Sequence, residues 1–226
     1  MAIDQEEDIY EDLCAFKKDG SQEKNLSEFV PKEKRDYCLK ELVETEAKYL
    51  EVLNMLNKHF IKAPYLTLKD TDREIIFMNI GELLQLHQDF YSQILDYISV
   101  YVGATPTNQN AVPSKLGTIF MDHKKRFLIY STFCCNLPKA QILLDTLCAK
   151  DENIKEAVHA CEQAANEGRF RLRDLLAVPM QRILKYHLLL KETVAQTRQT
   201  HEEYLNLQGA YEAMLDVAEY INEVKR

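Results

Sequence analysis

The side chains of this chain that are able to do chemistry do not fall into a metal or covalent pattern. Glu156 and His159 form one Glu-x-x-His pair of the kind that di-iron bundles use, but that chemistry needs a second pair on a facing helix, and none of the other five histidines has a Glu three residues before it. The six cysteines, Cys14, Cys38, Cys134, Cys135, Cys148 and Cys161, show no CxxC spacing for metal or redox work and read as idle or buried thiols. A phosphate-cradling GxxxxGK[ST] loop, GxGxxG, HExxH and GxSxG are all absent from the sequence. No cofactor, no metal site and no covalent catalysis are therefore expected.

Recognition chemistry is better represented. In Val178 to Glu192, "VPMQRILKYHLLLKE", the residues Met180, Ile183, Leu184, His187 and Leu190 can face a core, with His187 as a core histidine holding a hydrogen-bond partner. Gln181, Lys185, Leu188 and Glu192 then share another stripe at i, i+4, i+7 and i+11. A leucine rimmed by long polar side chains fits either a solvated helix face or a flat protein-binding surface. Lys124, Lys125 and Arg126 read as a solvated basic face. The N-terminal "DIYEDL" sets Tyr10 between aliphatic Ile9 and Leu13 in a segment whose acids, Asp4, Glu6, Glu7, Asp8, Glu11 and Asp12, meet no Lys or Arg before Lys17. Asp4 suits an N-cap, with Glu7 three residues later as in a capping box, so a short helix can form there with Ile3, Ile9, Tyr10 and Leu13 on one side. On its own such a helix is marginal in water, and it should form when docked.

The elements that must position these residues read as helices. Only 6 Gly and 6 Pro punctuate 226 residues, which favours long helices over short strands. Leu39, Leu42, Tyr49, Leu53, Leu56 and Phe60 recur at alternating threes and fours, predicting a helix from about 31 with one buried seam. Glu46 interrupts that seam and should pair with an Arg or Lys of a neighbouring helix. Further helices are predicted over about 71–101, 114–135, 139–149, 153–166, 179–196 and 202–226, with a surface loop over 103–113. Pro179, which lacks a backbone donor, is placed in the first turn of its helix.

Composition excludes several classes. A formal charge of −8 argues against nucleic acid as a partner. No run reaches the roughly 18 apolar residues that span a bilayer, and the N-terminus lacks the basic and apolar parts of a signal peptide. A cytoplasmic protein without membrane contact is expected, and the Asn25-Leu26-Ser27 sequon is then a chance match.

The blocks "KELVETEAKYLEVL", "FMDHKKRFLIYSTFC", "LRDLLAVPMQRILKYHLLLKE" and "INEVKR" resemble successive blocks of a Dbl-homology domain, and "IYEDL" upstream makes the chain similar to the Vav family. The resemblance implies an all-α, elongated multi-helix bundle with a short N-terminal helix docked on it. Residues 1–16 would be an acidic autoinhibitory helix, 17–31 a linker and 32–226 the exchange domain. It implies guanine-nucleotide exchange on a Rho-family small GTPase. Glu41 matches the acid that engages the first switch, while Lys185 and Asn222 match the residues that hold the second. Gln181, Arg182 and Leu188 would extend that surface. It also implies that a tyrosine kinase acts on Tyr10 to release the mask. A helical scaffold, or a phosphotyrosine-regulated adaptor without exchange activity, fits the composition as well.

Overall fold

The computed structural model describes residues 29–102 and 114–225, together with Asp12, and among these every regular element is helical. Helix α1 (Lys34–Leu56) runs on into a π-helical turn, Asn57–Ile61. Then come α2 (Asp70–Phe77), α3 (Ile80–Tyr101), α4 (Leu116–Phe127), α5 (Ile129–Lys150), α6 (Glu152–Asn166), α7 (Leu172–Ala195) and α8 (Tyr204–Val224). Ile9, Tyr10 and Leu13, the 17–28 stretch and the 103–113 loop lie outside the described residues.

The seam predicted for α1 is the core. Leu39, Leu42, Tyr49, Leu53, Leu56 and Phe60 are all buried, and they meet Leu83, Phe90 and Ile94 of α3 and Ile183, Tyr186 and Leu190 of α7. Aromatic rings fill the centre, with Phe90 edge-on to Phe120 at 5.0 Å and Phe127 stacked on Tyr186 at 5.5 Å. Helix α7 packs between α1 on one side and α8 on the other. At the start of the described 29–102 stretch, Phe29 is buried edge-on against Tyr101.

Four helix boundaries differ from expectation. The helix expected over 71–101 breaks at Met78, which adopts φ 37°. The break turns Ile76 and Phe77 of α2, and Ile80 and Leu83 of α3, all into the core. The freed carbonyls of α2 find side chains instead, with Asn136 Nδ2 donating to the Ile75 carbonyl at 2.7 Å. The 114–135 helix bends at Leu128, whose carbonyl accepts from Ser131 Oγ at 2.7 Å. Beyond that bend α5 continues through Pro138 rather than restarting after it.

Pro179 likewise lies inside α7, not in its first turn. Two features extend the helix upstream of it. Leu172, Leu175, Leu176 and Val178 are buried and hold the first turns against the core. The orphan donors are also capped, since Leu172 N donates to Glu162 Oε1 at 2.7 Å and Arg171 N to Asp174 Oδ2 at 3.3 Å. Packing and capping outweigh the one backbone bond that proline removes.

Candidate functional site

Beneath the candidate surface, Glu46 sits fully buried in the α1 seam and is held from two neighbouring helices. From α7, Arg182 donates through Nε at 3.0 Å and Nη2 at 2.7 Å to Oε2, and Tyr186 adds its hydroxyl at 2.7 Å. From α3, His87 Nδ1 lies 2.6 Å from Oε1. A neutral imidazole carrying its proton on Nδ1 satisfies both sides, because Nε2 then accepts from the Tyr130 hydroxyl at 2.6 Å, and Tyr130 accepts from Tyr49 at 2.6 Å. Burial, the largest effect, holds the His87 pKa below its usual value and keeps the ring neutral. Burial alone would raise the Glu46 carboxyl, but Arg182 and His87 overcome it and bring it down to about 2. The Tyr186 phenol, pushed up first by burial and then by Glu46, remains a donor. The pairing expected of Glu46 is thus present, and Arg182 is the partner.

The same observation corrects the placement of Arg182. It was expected to extend the exposed surface, but its side chain is 1% exposed and reaches into α1. Its Nη1 donates to Thr45 Oγ1 at 2.9 Å and its Nη2 reaches the Leu42 carbonyl at 3.4 Å. A planar guanidinium with donors in a fixed fork suits a buried carboxylate, and an acid in an apolar seam calls for such a cation. That signal was in the sequence, at Glu46. His187 is corrected too: it is half-buried at the rim and its Nδ1 has no hydrogen-bond partner, while His87 and His123 are buried.

The outer faces of α1, α7 and α8 carry the remaining candidates. Contacts between α1 and α7 run antiparallel. Thr45 meets Arg182, while the Cys38 thiol, raised first by burial, is raised further by the carboxylates of Glu192 and Glu41. Contacts between α7 and α8 also run antiparallel. Lys225 Nζ lies 3.0 Å from Met180 Sδ, and the His187 ring, lowered first by burial and then by Lys191, feels the opposing charge of Glu219. Lys185 falls between both pairs of markers. Interpolated between these markers, Glu41 and Asn222 each fall within about one turn of the level of Lys185.

Glu41 and Asn222 are exposed and Lys185 and Gln181 are half-buried. Leu188 is 48% exposed, an apolar contact in the middle of a polar rim. Tyr37, 61% exposed and one turn before Glu41, adds an aromatic ring to this face. Sequence reasoning missed it, although its i−4 spacing from Glu41 was a signal.

Elsewhere the polar groups serve packing. Lys124 pairs with Asp216 at 2.6 Å and Arg126 with Asp89, so the basic run is a solvated face tied to its neighbours. Among the described residues no group of His, Cys, Asp and Glu could hold a metal ion, and no helix is long and apolar enough to cross a membrane.

The RhoGEF domain family matches residues 38–222, which takes in all three of Glu41, Lys185 and Asn222. This chain belongs to the RhoGEF family. This RhoGEF chain is 40% identical over 222 residues to Protein vav of Drosophila melanogaster, a match covering 98% of this chain and 26% of that protein. It spans about a quarter of the length of the curated relatives it matches. Among solved structures, autoinhibited Vav1 superposes with a TM-score of 0.80 at 38% identity, covering 98% of this chain and 38% of that one. An autoinhibited Dbl homology domain solved by NMR superposes with a TM-score of 0.76 at 38% identity, covering 98% of this chain and 100% of its own. The RhoGEF fold is therefore a Dbl-homology bundle, as the sequence blocks implied.

Proposed function

We propose that this chain accelerates nucleotide release from a Rho-family GTPase in the cytoplasm, and that residues 32–226 carry the activity. The reading is supported by the match to the RhoGEF family and by the packing of α7 between α1 and α8, the three helices that carry Lys185, Glu41 and Asn222. A GTPase retains its nucleotide through phosphate contacts and a magnesium ion of its own. Anything that binds the emptied form better than the loaded one shifts the balance towards release. Glu41 engages the first switch, and Lys185 and Asn222 hold the second in a shape that cannot complete the magnesium site. Gln181 and Leu188 widen the contact. The acceleration arises from differential binding and needs no covalent step.

The same face is the target of the mask. We propose further that residues 1–16 are the mask, covering Glu41 and Lys185 through Ile9, Tyr10 and Leu13, with 17–31 as the connecting linker; Ile9, Tyr10 and Leu13 lie outside the described residues. A tyrosine kinase acting on Tyr10 adds nearly two negative charges among six acids, which must be desolvated if the helix stays docked. The likeness to two autoinhibited structures supports this regulation. GDP release from a panel of Rho-family GTPases tests it with three proteins: the full chain, the chain phosphorylated on Tyr10, and a chain beginning at Lys17. The phosphorylated and shortened forms should be faster, and three equal rates would rule out masking.

A further inference from the structure

We propose that Thr45 is a positioning residue for exchange, the middle of a relay that carries the Arg182 lock to the backbone turn bearing Glu41. The inference rests on the reading of Glu41 and Lys185 as GTPase contacts. Arg182 Nη1 donates to Thr45 Oγ1 at 2.9 Å, and Thr45 Oγ1 donates in turn to the Glu41 carbonyl at 2.7 Å. The Leu42 carbonyl stands 3.2 Å from the same hydroxyl and 3.4 Å from Arg182 Nη2. A hydroxyl is the smallest group that can accept from a guanidinium and donate to a carbonyl at once, and a hydrogen bond polarised at one end is strengthened at the other.

Three features make this more than a satisfied polar group. Arg182 is tied to α1 at two adjacent residues, since its Nε and Nη2 are fixed on Glu46 while its Nη1 reaches Thr45, so α7 and this turn of α1 hold one register. Lys185 is the next turn of the helix that carries Arg182, so the relay ties the backbone of one contact residue to the turn that carries the other. Back-bonding from a threonine hydroxyl to the carbonyl four residues earlier also bends a helix, which sets the tilt of the α1 turn that presents Glu41. Arg182 and Thr45 touch no GTPase in this account. They fix the spacing between two groups that do.

The test is GDP release at saturating exchange factor, with melting temperature measured in parallel, using the full chain with Tyr10→Glu in every arm. Thr45→Val keeps the shape and removes the hydroxyl. It should slow the saturated rate about fivefold to tenfold, the rate equivalent of one net hydrogen bond, with a smaller effect on the concentration giving half the maximal rate. Thr45→Ser should restore the rate to within about twofold, because it keeps the donor and acceptor. In a Glu41→Ala background Thr45→Val should add nothing, since the group it positions is gone. A wild-type rate for Thr45→Val beside an impaired Glu41→Ala would overturn the relay alone. So would a Thr45→Val loss that multiplies in full with Glu41→Ala, which marks a purely structural role. A wild-type rate for Glu41→Ala would overturn the contact reading, and the relay with it.

Discussion

Among the described residues two buried arginine–carboxylate pairs staple the bundle, and they differ in what surrounds them. Arg182 and Glu46 lie 1% and 0% exposed at the waist, under the face that carries Glu41, Lys185 and Leu188. Arg35 and Glu203 lie 5% and 7% exposed at the end of the bundle where Phe29 enters. At that end the Tyr97 hydroxyl donates to Glu203 at 2.8 Å, and Arg35 stacks over the Tyr101 ring at 5.1 Å. The first pair sends a donor outward to Thr45 and so to the backbone of the candidate surface. The second fastens the N-terminal end of α1 to α3 and α8 and touches none of the candidate contacts. Similar chemistry thus serves register at the waist and closure at the end.

The comparison is broken most sharply by removing one partner of each pair. Arg182→Ala strands a carboxylate in a dry core, and should cost about 3 to 5 kcal/mol in urea unfolding, while Arg182→Met with Glu46→Gln should cost far less. Arg35→Ala should cost roughly 1.5 to 3 kcal/mol, because Glu203 lies nearer to water than Glu46 and is more readily rehydrated. The Arg35 variant should still accelerate GDP release within about twofold of the parent, since no candidate contact depends on it. Equal costs for the two arginines would show that burial depth does not separate the clusters.

Acid should act through the waist pair. The folded Glu46 carboxyl, at about 2, lies below its ordinary 4.5. Its contribution is therefore complete above about pH 4.5 and lost as pH falls from there towards 2. Neutral His87 acts in the same direction, because the unfolded chain takes up a proton that the buried ring resists as pH falls below its usual 6.5. Urea midpoints measured from pH 7 to pH 3 should fall, and fall less steeply in the Arg182→Met, Glu46→Gln double variant. The smallest stability effect is expected on the surface, where Glu41→Ala should change unfolding by no more than about 0.5 kcal/mol while slowing GDP release.

Much of this arrangement was legible in the sequence where one physical rule dominated. The α1 seam followed from spacing alone, and every residue assigned to it is buried. Glu41 fell off that seam and is exposed, and Glu46 fell on it and found its cation. What was not legible depends on tertiary context. No Gly or Pro marks the break at Met78, whose strained φ is set by the need to turn both flanking helices inward. Pro138 and Pro179 are tolerated inside helices because buried neighbours, Leu137 and Ala140 around the first and Val178 and Ile183 around the second, hold each helix against the core and outweigh one missing bond. The resemblance put Arg182 on the surface beside Gln181, whereas one step around the helix separates the rim from the core and Arg182 is buried. Tyr10 lies outside the described residues, so its place rests on sequence and kinship.

The proposed GTPase-binding face draws its side chains from α1, α7 and α8, with Lys185 on the middle helix of the three. GDP release from a panel of Rho-family GTPases, measured with the chain beginning at Lys17 and with its Lys185→Glu variant, tests this most directly. The parent should accelerate at least one GTPase, and the variant should lose about a hundredfold of that acceleration at an unchanged melting temperature. Full acceleration by a folded Lys185→Glu variant, or none by the parent on any member of the panel, would contradict it.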